Sequence, residues 1–446
     1  MSVTPRAREV SPGLQKVAEL ARKDPRLRFH TLAHLLDEDA LERAFRRLEN
    51  QAAVGVDGIT KDRYGQDLGG NLIGGNLAAL HARMKAGTYR HQPIRRVHIP
   101  KAPNKTRPIG ISSVEDKIVQ GALREVLEAI YEQDFVSGSY GFRPGRSAHD
   151  ALRELDRAVW AEGAGWILEA DIQSFFDSVD RKALMGMLRE RIADESFLRL
   201  VGKCLHVGVL DGEEFSTPDV GTAQGSILSP MLGNIYLHHV LDRWFEREVR
   251  PRLRGAARLI RYADDFVIAF GRRDDAERVM AVLGQRMARF GLTLHPEKTR
   301  LVPFRRPDRR REGEPEPETF DFLGFTAYWR RGQKGGWALA LKTRTARLRR
   351  AIVSVNEFCR SRRHEPVAQQ HADLCRRLEG HMNYFGVPGN SSGLAALRHW
   401  AERIWRKWLD RRSQRARVNW RRFKQILARF PLPRVHVRVK LWAHAT

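Results

Sequence analysis

Three aspartates are the residues of this chain best suited to do chemistry. Asp264 and Asp265 are adjacent in Tyr262-Ala263-Asp264-Asp265, and Asp171 lies 93 residues before Asp264. The pair sits between apolar flanks, Leu259-Ile260 before and Phe266-Val267-Ile268 after. That pattern predicts a β-hairpin with the carboxylates at its turn, where Asp tolerates unusual backbone angles. Taken alone, the pair is equally what a solvated turn would show. Asp171 adds weight, because it ends the apolar run from Trp166 that continues into Ile172. A buried strand ending in a carboxylate calls for a compensating partner, since an unpaired buried charge is costly. Carboxylate oxygens are natural ligands of Mg²⁺. On two neighbouring strand ends they can hold two ions about 3.5–4 Å apart, the arrangement of in-line phosphoryl displacement. One ion would activate the 3′-hydroxyl of a primer, and the other would hold a triphosphate and its leaving pyrophosphate. The other reading of Asp171 is a cap for a helix starting near Ser174.

The elements that must position these groups have to come from a chain of 446 residues with 42% hydrophobic residues, enough for two or three domains with real cores. The formal net charge is +26, which implies a polyanionic partner. Residues 341–446 carry 25 Lys and Arg against 6 Asp and Glu, so most of that charge is C-terminal. No apolar run approaches the ~20 residues that span a bilayer, and no signal-peptide pattern opens the chain. Nucleic acid is therefore the expected partner, not a membrane. Cys204, Cys359 and Cys375 form no Cys-x-x-Cys pair and hence no zinc site, which suits a reducing cytoplasm.

Helical patterning starts near Leu14 and recurs at Leu32–Leu48, followed by the turn Gly55-Val56-Asp57-Gly58. Val97–Pro100 and Arg107–Ile111 predict a two-stranded ribbon around Pro103-Asn104-Lys105. Helix is predicted at Asp116–Ile130 and 275–290, and strand at 166–172, 261–270 and Phe320–Phe325. Residues 305–319 read as a charged, Pro-rich loop. From Lys342 onward the chain reads as helical, broken at Pro388-Gly389-Asn390. The class is α+β followed by an all-α module.

Seven ordered blocks carry a family resemblance. They are Ile99-Pro100-Lys101 with Arg107–Ile111, Ser139–Ser147, Asp171 with Phe175-Phe176-Asp177, Gly221–Gly225 with Ser229-Pro230, Tyr262–Asp265, Gly291-Leu292 with Lys298-Thr299, and Phe322–Phe325. From about residue 28 onward the chain resembles a bacterial group II intron reverse transcriptase/maturase. The resemblance implies a right-hand polymerase. Residues 1–27 would be an N-terminal tail and helix, 28–165 fingers, 166–335 palm with part of the fingers, and 336–446 an α-helical thumb, or domain X.

The resemblance also implies roles. Asp171, Asp264 and Asp265, with Ile172, would bind two Mg²⁺, for which Mn²⁺ can substitute. Lys101 and Arg107 would clamp the incoming triphosphate, though each is also what a surface cation looks like. Phe176 would exclude a ribose 2′-hydroxyl, or simply fill core. Gln224 and Gly225 would touch template base and nucleotide; here Ala223 replaces the family's usual Pro. Lys298 would protonate pyrophosphate. Arg143 and Arg146 fit template or triphosphate contacts, or a surface loop. Phe322, Leu323, Gly324 and Phe325 would hold the primer strand. In the C-terminal module Lys342, Arg344, Arg403, Arg406, Lys407, Arg411 and Arg412 would face RNA. Trp400, Trp405, Trp408 and Trp420 are expected to form one buried stripe.

The implied activity is RNA-directed DNA polymerisation by a cytoplasmic group II intron reverse transcriptase and splicing maturase. Its partners would be template RNA, a DNA or RNA primer, deoxynucleotides, intron RNA and target DNA. With the chain ending at Thr446, it resembles the form lacking the family's C-terminal endonuclease. Two other readings fit the same blocks: a domesticated relative in phage defence, CRISPR adaptation or DNA repair, and a non-catalytic RNA-binding splicing factor. The intact three carboxylates argue against the last.

Overall fold

The structure is a computed structural model that describes residues 11–69, 75–102, 105–216, 220–222, 224–307, 318–331, 336–413, 417–439 and 441. Ala223, Pro103, Asn104 and most of the 305–319 segment lie outside the described residues, as does the side chain of Lys101. The strands are β1 (Ile94–Ala102), β2 (Lys105–Ile111), β3 (Trp166–Asp171), β4 (Val209–Asp211), β5 (Glu214–Ser216), β6 (Ala257–Tyr262), β7 (Asp265–Phe270), β8 (Arg300–Pro303), β9 (Phe320–Phe322), β10 (Phe325–Arg331) and β11 (Trp337–Thr343). Separate, mainly antiparallel sheets with many helices make the fold α+β.

The chain divides into two compact units. The first is Met1–Arg146, Asp171–Arg252 and Ala281–His295; the second is Ser147–Ala170, Leu253–Met280 and Pro296–Thr446. The first unit holds the sheet β2-β1-β4-β5. The ribbon β1–β2 runs from Arg95↔Ile111 to Ala102↔Lys105 with a bulge near Pro100. It leads into the helix Val114–Tyr131, whose start is capped by Ser113 and carries Glu115 and Asp116 against the positive helix end. That helix buries Ile118, Leu123, Leu127 and Ile130 completely, so it forms the centre of this unit's core.

In the second unit β3 belongs to the sheet β6-β7-β3-β8, and β11-β10-β9 form a separate sheet. The expected single strand Phe320–Phe325 is in fact β9, a two-residue turn and the start of β10. Both flanks of that turn are apolar, so periodicity alone merges them. Beyond β11 come the helices Thr345–Ser361, Val367–Phe385, Ser391–Asp410 and Trp420–Arg429. Leu374, Leu378, Leu397, Ala401, Trp405 and Phe423 share their core.

The tryptophan stripe needs correction. Trp405 is fully buried and Trp408 half-buried, but Trp400 is 46% and Trp420 43% exposed. Five residues separate Trp400 from Trp405, which at 3.6 residues per turn rotates the side chain about 140° away from the core.

Candidate active site

β6 and β7 pair in register up to Tyr262↔Asp265, which leaves Ala263 and Asp264 as the turn. Ala263 has φ 58° and Asp264 a negative φ, the type II′ pattern that suits strand twist. The unusual angle therefore falls on Ala263, not on an aspartate as the sequence suggested. Arg261 is fully buried beneath the turn and donates to the Ala263 carbonyl at 3.0 Å. A charged donor on that carbonyl helps hold a conformation that a non-glycine residue adopts at a cost of about 1–3 kcal/mol.

Strand order relates β3 to the hairpin. β7 and β3 are neighbours, and the Gly165 N–H just before β3 donates to the Phe270 carbonyl at the end of β7 at 2.9 Å. The two strands are therefore antiparallel. β8 pairs antiparallel with β3 through Glu169↔Arg300. Lys298 is exposed on the turn entering β8. The short helix Phe175–Ser178 has Ser174, not Asp171, at its N-cap. Ile172 is buried and bridges Leu294. Among the described residues no three His, Cys, Asp or Glu side chains gather into a ready-made metal cage. The hairpin's own donors, Asp264 and Asp265, are carboxylates, which suits Mg²⁺. That ion commonly takes one or two carboxylates and completes its shell with water and substrate phosphates.

The Phe322–Phe325 block meets the hairpin within the second unit. Leu323 and Gly324 both have positive φ, 53° and 79°, the type I′ turn. The Leu323 N–H donates to Asp265 Oδ2 at 3.2 Å, and its carbonyl accepts the Tyr384 hydroxyl at 2.9 Å. Burial, then the neighbouring Tyr262 and Asp265, push the Tyr384 phenol up to about 12, so it stays a donor.

The first unit carries a second cluster. Gln224 Oε1 accepts from Arg107 at 2.9 Å, and Gln224 Nε2 donates to Asp177 at 3.2 Å. Gly225 has φ 107°, and a Cβ there would stand 2.5 Å from the Gly110 oxygen, so the close approach that demands glycine is to β2. Phe176 is half-buried, edge-on to Phe175 at 5.1 Å, and its carbonyl accepts from Thr222. A cleft of about 330 Å³ opens here, lined by Arg96, Gly110, Asp177, Arg181, Thr222 and Gln224. Its walls desolvate the Asp177 carboxyl and raise it above its ordinary range, against the pull of Arg96 and Arg107.

Arg143 departs from expectation. Its side chain is 3% exposed, pairs with Glu132 at 3.0 Å and donates to the carbonyls of Val136 and Ser139, each at 2.8 Å. It clamps the 132–143 segment internally and does not present a guanidinium to template or triphosphate. Arg146 is half-buried and donates to the Ser137 carbonyl at 2.6 Å.

Among the cations expected to face RNA, Lys342, Arg403, Lys407 and Arg411 are exposed, but Lys342 lies on β11, because the helices begin only at Thr345 and not at Lys342 as expected. Arg344 pairs with Asp321 at 2.8 Å, Arg412 donates to the His364 carbonyl at 2.8 Å, and Arg406 to that of Val418 at 3.0 Å, so these three also hold structure. Exposed Trp400 and Trp420 flank Arg403, which lies 5.9 Å from each ring. For Trp400 the five-residue spacing to Trp405 carries the signal of exposure, whereas Trp420 opens a separate helix. The sequence alone assigns no site role to Arg261 or Tyr384; a basic residue inside an apolar strand is the only hint of the former.

The family model described as "Reverse transcriptase (RNA-dependent DNA polymerase)" matches residues 99–327, slightly over half the chain. Protein YkfC of Escherichia coli (strain K12) is 35% identical over 291 residues, covering 58% of this chain and 75% of that protein. Group II intron-encoded protein LtrA of Lactococcus lactis subsp. cremoris is 36% identical over 231 residues, 49% of this chain and 37% of LtrA. An uncharacterized 91 kDa protein in a cob intron of Schizosaccharomyces pombe is 31% identical over 320 residues, 60% of this chain and 39% of that protein. The chain thus matches most of the first relative's length and well under half of the other two.

Proposed function

The chain belongs to the reverse transcriptase family, the RNA-dependent DNA polymerases, and from that premise we propose that it copies RNA into DNA and serves as a group II intron maturase. The Tyr262–Asp265 hairpin, with Asp264 in its turn and Asp265 opening β7, supports this most. Residues 28–165, 166–335 and 336–446 would act as fingers, palm and thumb of a right-hand polymerase, the last as domain X.

Two Mg²⁺ at Asp171, Asp264 and Asp265, beside Ile172, would supply Lewis acidity at the primer 3′-hydroxyl and the leaving pyrophosphate, with Mn²⁺ able to substitute. Arg107 and Lys101 neutralise the triphosphate, and Gln224 and Gly225 orient the nucleotide against the template base. Phe176 excludes a 2′-hydroxyl. Lys298 gives its proton to the departing pyrophosphate. The Phe322–Phe325 turn, tied to Asp265 through Leu323, holds the primer end against the carboxylates. The exposed cations and Trp400 and Trp420 bind RNA backbone and bases, intron RNA included. Target DNA would be a further partner, and the cytoplasm the compartment. Among the described residues no helix is long and apolar enough to cross a membrane.

Purified protein should extend a DNA primer on an RNA template with Mg²⁺ and deoxynucleotides. Asp264→Ala should abolish extension and leave RNA binding intact. Extension by that variant at the wild-type rate would overturn the polymerase reading. Intron splicing unaffected by adding the protein to its precursor RNA would overturn the maturase reading alone.

A further inference from the structure

Gln120, in the middle of the core helix Val114–Tyr131, is completely buried and polar. Its amide uses every hydrogen-bonding position it has. Oε1 accepts the Ile227 N–H at 3.1 Å and the Ser226 hydroxyl at 3.0 Å. Nε2 donates to Ser112 Oγ at 3.2 Å and faces His91 Nε2 at 2.8 Å. The amide's orientation is not free, because a backbone N–H only donates, so the oxygen must face Ile227. His91 Nε2 must then accept, which places the imidazole proton on Nδ1, 2.6 Å from the Gln92 carbonyl. Burial lowers the basicity of His91 and favours this neutral form.

The surroundings hold Gln120 as firmly as it holds them. Buried Asp116, on the same helix, accepts from the Tyr89 hydroxyl at 2.6 Å, the Ser113 hydroxyl at 2.7 Å and the Gln92 N–H at 3.1 Å. Those bonds fix the segment carrying His91. Ser226 Oγ also accepts the Leu228 N–H at 3.3 Å. On the opposite side, the Gln224 carbonyl accepts the Gly110 N–H of β2. The Gln224–Ile227 turn is thus gripped by β2 at one end and by Gln120 at the other.

We propose that Gln120 is a positioning residue for polymerisation: it touches no substrate but sets the Gln224–Gly225 turn, and with it the Gln224–Arg107 pair, at the spacing that receives the nucleotide. The inference rests on the polymerase reading above. No neighbouring side chain can replace Gln120, because the site needs two acceptor positions toward the turn and two donors away from it. An apolar residue would leave the half-buried Ile227 N–H without this acceptor.

Two measurements test it. Amide exchange followed by mass spectrometry reads the turn directly. In Gln120→Leu the amides at 226–228 should exchange at least about tenfold faster, while the interior of the helix Val114–Tyr131 stays protected. Steady-state primer extension reads the consequence. KM for deoxynucleotide should rise about tenfold with kcat little changed. Combined with Gln224→Ala, the Gln120→Leu effect should fall well short of multiplying. Unchanged exchange at 226–228, or an unchanged KM with only a lower kcat and melting temperature, would make Gln120 a plain core residue and overturn the proposal. Should Gln120→Leu not fold, Ser226→Ala removes one bond to the same oxygen and is judged by the same readouts. The exchange result decides whether Gln120 holds the turn even if the wild-type protein extends no primer, so the two failures are told apart.

Discussion

Asp265 accepts the backbone N–H of Leu323 at 3.2 Å, so a proposed metal-binding carboxylate also secures a turn 58 residues away. Leu323 sits at φ 53°, an angle that leucine adopts only when its surroundings hold it there. The two roles of Asp265 separate by substitution. Asp265→Asn keeps an acceptor oxygen and removes the charge; it should abolish primer extension and leave the urea midpoint near wild type. Asp265→Ala loses both, and should also lose about 1 kcal/mol of stability. Equal midpoints for the two variants would show that the bond to Leu323 contributes nothing.

Phe176 is half-buried beside Phe175, which allows it to be both core and sugar platform. Phe176→Ala should raise the ratio of ribonucleotide to deoxynucleotide incorporation on one template. A ratio unchanged from wild type would assign the ring to packing alone.

The exposed aromatic–basic patch should bind RNA without supporting the fold. Trp400→Ala and Trp420→Ala should each weaken single-stranded RNA binding by about 1–3 kcal/mol, with melting temperature nearly constant. Trp405→Ala, at the module's centre, should instead cost about 3–5 kcal/mol of stability. Arg403→Ala should flatten the plot of log affinity against log salt by about 0.7 for one phosphate contact. Filter binding over a salt series measures both, and an undiminished slope would remove Arg403 from the interface.

Acid should destabilise the helical module through His381. Burial holds its imidazole down at about 4, from the ordinary 6.5. Between those values the unfolded chain takes up a proton that the folded chain refuses, so stability falls as pH drops from about 6.5 toward 4. His381→Phe keeps a ring against Phe385, which His381 stacks on at 4.5 Å, and removes the titration. Its urea midpoint should fall less than that of wild type between pH 7 and pH 5. Parallel midpoints would locate the acid sensitivity elsewhere.

What the sequence determined by itself is what neighbours along the chain encode. The Tyr262–Asp265 hairpin, the β1–β2 ribbon, the core helix after Ser113 and the basic helical module all follow from local apolar runs, caps and charge. The ordered blocks identify the family because each depends on a few adjacent residues. The tertiary structure decided whatever depends on partners far apart in sequence. Arg143 reads as a surface cation until Glu132 and two carbonyls enclose it. Trp400 and Trp405 look like one stripe until the helix's own rotation turns one outward. Gln120 meets Ile227 across 107 residues, and nothing local to either predicts the bond. Periodicity records which face of an element is apolar; it holds no record of which buried polar group will find which partner, because that choice is made only when separate elements close on one another.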